Sequence, residues 1–178
     1  MRRKQAACYQ MICGMVFMIC LPWPGGLLAQ DDDQDFGFLN PGIRVGYTFG
    51  SGFTVGFEMS IGVYNGAFAG ASAGIDYTIG DDLNGNIFRV YLDAEAGLLL
   101  AGVGFGGALV LDDGEIDLGP QTTVFASWPV DSWDPDLYKI VVPYYRVTKA
   151  HGRTLKELGT FYKYSYPIGK GNYGTRWD

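Results

Sequence analysis

The chain has 178 residues, with 13 Lys or Arg against 19 Asp or Glu, three Cys and one His. The resulting charge of −6 argues against nucleic acid as a partner, since a phosphate backbone is bound by an excess of cations. With His151 alone, zinc sites and Ser-His or Cys-His catalysis have little to work with, so no catalytic residue, metal site or cofactor is expected.

In chain order, the first element is a secretory signal. Arg2, Arg3 and Lys4 precede the apolar run Met11 to Leu21, and "GLLA" ends at Ala29. The run is broken by Pro22 and Pro24 and is shorter than the ~20 residues of a spanning helix, so a signal peptide cleaved near Ala29 is expected over residues 1–29. Cys8, Cys13 and Cys20 leave with it, and neither disulfides nor thiolates remain. Residues 30–41 read as an acidic N-terminal segment. Charge is unevenly placed beyond it: Asp31 to Asp136 holds 17 acids against Arg44 and Arg89, whereas Leu137 to Asp178 holds eight bases against Glu157 and Asp178.

From Gly42 to Gly80 the sequence alternates. Of the 19 odd positions from Ile43 to Ile79, 17 are apolar, while ten of the 20 even positions are Gly. A period of two held this long predicts strands. Ser51 and Asn65 interrupt the apolar face and mark turns, and the unchanged parity requires loops of odd length. Three-residue loops are predicted at Gly50 to Gly52 and Tyr64 to Gly66, with strands at 42–49, 53–63 and 67–79. After "GDDLNGN" the parity reverses, with Phe88, Val90 and Leu92 on one face and Arg89, Tyr91, Asp93 and Glu95 on the other. Ala96 to Leu111 reads as two strands with a turn near Ala101, because five Gly in a helix would each cost up to ~1 kcal/mol. "GVGFGG" within it lacks the context of a phosphate loop and reads as close-packed strand. Further strands are predicted at 122–128, 138–149 and 159–166. "DDGEIDLGP" and "PVDSWDPD" read as polar loops, and "TLKE" (Thr154 to Glu157) as a capping box starting one helical turn. The acidic loops "DDLNGN" and "DDGEID" do not match an EF-hand and are read as solvated.

The glycine-rich face gives water little to solvate. It suits the lumen of a narrow closed barrel, where Arg44, Glu58, Asp76, Arg89, Asp93 and Glu95 are expected to form an ion-paired network. The opposite face, Ile43, Val45, Tyr47, Phe49, Phe53, Val55, Phe57, Met59, Ile61 and Val63, is then expected to meet lipid, with Tyr47, Phe49, Phe53 and Tyr77 placed as an interfacial girdle.

On these features residues 42–166 resemble the small, roughly eight-stranded outer-membrane β-barrels of Gram-negative bacteria. The expected fold is an all-β antiparallel meander of about eight strands closing into a barrel, followed by a basic, aromatic tail over residues 167–178. The resemblance implies residence in the outer membrane, insertion by the barrel assembly machinery, contact with lipid or lipopolysaccharide, and a structural, adhesive or envelope-associated role without catalysis. The alternative is a soluble periplasmic or secreted barrel or sandwich whose Phe, Val and Ile face forms its core or an apolar ligand pocket.

Overall fold

The computed structural model describes residues 36–65, 67–80, 85–98, 100–134 and 137–168, and these contain strands and turns but no helix. The expected signal peptide, residues 30–35, Asp81 to Asn84 of the acidic loop and the tail beyond Ile168 lie outside the described residues. In chain order the strands are β1 (Phe36–Thr48), β2 (Gly52–Asn65), β3 (Ala67–Gly80), β4 (Ile87–Leu98), β5 (Ala101–Asp112), β6 (Glu115–Ala126), β7 (Trp128–Asp134), β8 (Leu137–Ala150) and β9 (Arg153–Ile168). Each pairs antiparallel with its neighbour from β1 to β6 and from β7 to β9; β9 returns to β1, and β6 also pairs with β8. Those last two pairings close an eight-stranded barrel. Beyond Ser127, β7 carries on where β6 stops and pairs with β8 alone.

The stagger of the barrel follows from its register. Stepping from partner to partner, Phe38 leads through Gly62, Gly70, Glu95, Gly104, Thr123, Arg146 and Glu157 to Thr48, ten residues further along β1. For eight strands with ordinary rise and spacing, that shear sets a tilt of about 40° and a backbone radius of about 8 Å, which leaves a narrow lumen.

Two tight turns use backbone that only certain residues adopt. Asp113–Gly114 and His151–Gly152 have φ of 50° and 81°, and 51° and 69°, the all-positive pattern of the two-residue hairpin turn that matches strand twist. The β1–β2 turn is Phe49 to Ser51, one residue earlier than predicted, since Thr48 already pairs with Gly52. Between β2 and β3 the register runs to Asn65 opposite Ala67, leaving one residue where three were predicted. Both loops keep the odd length that the parity requires.

Several predicted boundaries are corrected. "TLKE" is not helical: Thr154 and Leu155, in β9, pair with Lys149 and Thr148 of β8, because the residues after it alternate and a cross-strand partner overrides a local capping signal. "DDGEIDLGP" is mostly β6, since Asp113–Gly114 reverses the chain within two residues and Glu115 already pairs with Asp112. "PVDSWDPD" contributes β7, paired to β8 with register shifts after Pro129 and Asp131; proline withholds a ladder N–H, so such a strand is bulged rather than absent. The barrel also extends beyond 42–166. Pro41 pairs with Met59, and Pro167 pairs with Phe38.

The inner glycines make room for two tyrosines. A Cβ on Gly74 would lie 2.3 Å from the Tyr91 hydroxyl, and one on Gly159 2.6 Å from that of Tyr144. Gly104, also inward-facing, has nothing nearer than 3.6 Å. Gly74→Ala is therefore expected to destabilise the barrel by about 1 to 3 kcal/mol, the usual cost of overpacking, while Gly104→Ala stays near neutral. Urea unfolding of the two variants measures the difference.

Candidate functional site

Alternation sorts the side chains of this barrel in the opposite sense to a water-soluble core. Ile43, Val45, Tyr47, Phe49, Phe53, Val55, Phe57, Met59, Ile61 and Val63 point outward and are between 38 and 60% exposed. The same face continues through Ile75, Tyr77, Phe88, Leu92, Phe105, Leu109, Leu118, Val124, Leu158 and Tyr166 on the other strands. This face is therefore not the core of the barrel; the interior holds buried ions and polar groups together with two apolar clusters.

Inside, the lumen has three levels. At the end carrying the β1–β2, β5–β6 and β8–β9 turns (the turn end), Ile87, Val110, Ala150 and Leu155 pack with Ala108 and Tyr91 into an apolar plug. Below it lies the charged level. Arg89 donates Nε to Asp76 at 3.1 Å and Nη1 to Thr148 at 3.0 Å, and its Nη2 bonds Glu157. Arg44 binds Asp76 and holds Nε 3.6 Å from Glu157. Arg146 donates to Thr123 at 3.0 Å and to Glu58 at 3.3 Å, with its guanidinium 4.1 Å from the centre of the Tyr91 ring. Glu58 also accepts from the Tyr91 hydroxyl at 2.6 Å and from Lys163, and Tyr144 donates to Glu157. Hydroxyls of Thr48, Thr54 and Thr78 form a chain at 2.9 and 2.8 Å. Arg44, Arg89, Arg146, Glu58, Asp76 and Glu157 are all at most 2% exposed.

Of the six residues expected in the lumen, Arg44, Glu58, Asp76 and Arg89 meet in this one network. Asp93 stands apart from the cations and accepts from Gln121 at 2.8 Å and Thr123 at 3.4 Å. Glu95, half-buried, lines a cavity of about 190 Å³ at the other end. Sequence reasoning did not place Arg146, Glu157 and Lys163 here, although each obeys the same signal: Tyr144, Arg146 and Thr148 alternate with outward Tyr145 and half-buried Val147, and Glu157 and Lys163 share a parity with Leu155 and Phe161.

The third level is this cavity, a vestibule beneath the charged layer at the end where β1 begins and β9 finishes. Phe38, Phe68 and Phe125 line it together with Asn40, Glu58 and Lys163. Among the described residues no three His, Cys, Asp or Glu side chains converge as a metal site requires. The acidic turn at the opposite end is taken up internally: Asp112 pairs with Arg153, and Asp117 accepts the His151 N–H at 2.6 Å.

Comparison with protein-family models, curated proteins and solved structures finds no match. The reading of function therefore rests on the geometry of the barrel alone.

Proposed function

We propose that the protein is an outer-membrane β-barrel with a structural, adhesive or envelope-associated role and no catalytic activity. One observation carries the reading: the barrel buries a layer of ions at its centre and exposes a continuous band of Phe, Ile, Leu and Val residues around its outside. In water that arrangement forfeits the hydrophobic driving force over most of the surface; in a bilayer it is the stable one, because closing the sheet pairs strand edges that lipid cannot hydrogen-bond and the apolar band faces acyl chains.

Dimensions support this. Phe53 to Val63 on β2 spans ten residue steps, which at about 3.3 Å each and a tilt of about 40° covers about 25 Å, the height of the apolar band in such barrels. Outward aromatics lie toward both ends. Tyr47 and Phe49 stack edge to face at 5.8 Å near the turn end, and Tyr162 and Tyr164 do so at 5.5 Å near the other. Lys149 and Lys156, exposed at the turn end, suit anionic head groups or lipopolysaccharide phosphates. An even strand number in the barrel puts the start of β1 and the end of β9 on one side, consistent with assembly from the periplasm by the barrel assembly machinery. The charged layer and apolar plug fill the lumen, which fits a structural or surface-binding role better than a pore.

The test is solvent dependence. Freed of its signal segment, the protein is expected to fold as a compact, heat-modifiable species in detergent micelles or bilayers and to aggregate in plain buffer. A folded monomer in buffer without detergent overturns the assignment.

A further inference from the structure

The vestibule holds polar groups that the barrel leaves unused. Among the inward carboxylates at and below the charged layer, Glu58, Asp76 and Glu157 are held by arginine or lysine, and Asp93 by Gln121 and Thr123. Glu95 makes no ion pair, yet it is half-buried and lines the cavity. Of the neighbouring cations, Lys163 donates to Glu58 and to Ser60 at 3.2 Å, and Arg146 donates to Thr123 and Glu58 while its Nη1, 3.9 Å from Asp76, makes no hydrogen bond. On β1, Asn40 is 8% exposed, lines the same cavity, and its Oδ1 accepts no hydrogen bond. β1 and β4 are separated by β2 and β3 in a closed ring of eight, so Asn40 and Glu95 approach the vestibule from different sides.

The apolar wall is placed to match. Phe68 and Phe125 lie with ring centres 5.5 Å apart. Their rings cover the inner glycines of β4 and β5, for a Cβ on Gly97 would lie 2.2 Å from Phe68 and one on Gly102 2.7 Å from both rings. An aromatic face beside an unpaired carboxylate favours a cation, through the carboxylate and the ring quadrupole together. At about 190 Å³ the cavity is smaller than the roughly 300 to 1,000 Å³ of pockets for drug-sized ligands.

We propose that the vestibule binds a small organic amine with an apolar body and a second hydrogen-bond donor at the end remote from the ammonium. Glu95 holds the ammonium, Phe68 and Phe125 take the body, and the Asn40 side-chain oxygen accepts from the far donor. The site lies within the lumen, so it does not depend on which solvent meets the outer face.

Tyramine has this chemistry and serves as the probe, with phenethylamine lacking the far hydroxyl and 3-(4-hydroxyphenyl)propionate lacking the cation. Binding to the full chain, in an uncharged detergent or in buffer as its folding dictates, is read by ligand-observed NMR titration. Tyramine is expected to bind saturably. Glu95→Gln is expected to weaken both amines by about tenfold or more, as loss of a charge-assisted hydrogen bond does. Asn40→Leu should reduce tyramine to the affinity of phenethylamine and leave phenethylamine unchanged. If Glu95→Gln does not fold, the Asn40→Leu comparison decides alone, and equal loss of both amines, or loss of neither, overturns the proposal. So does equal binding of the carboxylate, or no saturation by tyramine below about 10 mM.

Discussion

Phe57→Arg is expected to abolish stable insertion of the barrel, with a cost of about 2 to 4 kcal/mol for a cation near the bilayer midplane. Phe57 lies mid-way along β2, opposite Ile43 on one side and Ile75 on the other, and is 43% exposed. Its neighbours on the same face of β2, Val55 and Met59, are exposed and apolar as well. Phe57→Leu, which keeps the face apolar, serves as the control. The fraction of protein migrating as a compact species before heating, after reconstitution into bilayers, measures the effect. The sign separates the two possible solvents: if the outer face met water, an arginine there would be neutral or would improve solubility, and an unchanged or larger folded fraction would sink the membrane assignment. An inward probe is no gentle comparison. Thr54 is fully buried between the hydroxyls of Thr48 and Thr78, so Thr54→Lys drives a charge into packed space and is expected to be damaging as well.

The second large effect is expected at Arg89. Its guanidinium reaches Asp76 on β3, Thr148 on β8 and Glu157 on β9, which ties nearly opposite walls of the barrel together. Arg89→Ala strips one cation from two carboxylates that are buried to 2% exposure or less, and breaking a buried pair from one side costs about 3 to 5 kcal/mol. Arg153→Ala is the matched comparison: its partner is Asp112, and its side chain is 41% exposed, so the pair contributes about 0 to 1 kcal/mol and fades with added salt. Urea titrations at two salt concentrations should show a large, salt-insensitive loss for Arg89→Ala and a small, salt-sensitive one for Arg153→Ala. Comparable losses would mean that the lumenal charges are solvated.

Much of the barrel was legible in the alternation from Gly42 to Gly80. A strand repeats every two residues, so which side chains share a face is a local property, readable without knowing any partner. The outward set from Ile43 to Val63 and the inward Arg44, Glu58 and Asp76 follow from that period. So does the odd length of the first two loops, although their residues shifted. Where proline and clustered acids mimic loop composition, at Trp128 to Asp134 and around Asp113–Gly114, the same local reasoning misread strand as loop.

That the sheet closes was expected from its glycine-rich inner face, but which strands close it was not legible, because the β9–β1 and β6–β8 pairings join segments that share no local signal. The lumen exists only once those ladders form, and its contents depend on the ten-residue stagger they impose. That stagger, rather than any spacing in the chain, brings Glu157 beside Arg89 and Arg44, sends Lys163 to Glu58 although it stands in the basic, tyrosine-rich end of the sequence, and leaves Glu95 lining the cavity without an ion pair. Alternation assigns each residue to a side of the wall at a cost counted residue by residue, whereas pairing across a lumen is settled by the simultaneous register of all eight strands, a quantity that only the tertiary fold contains.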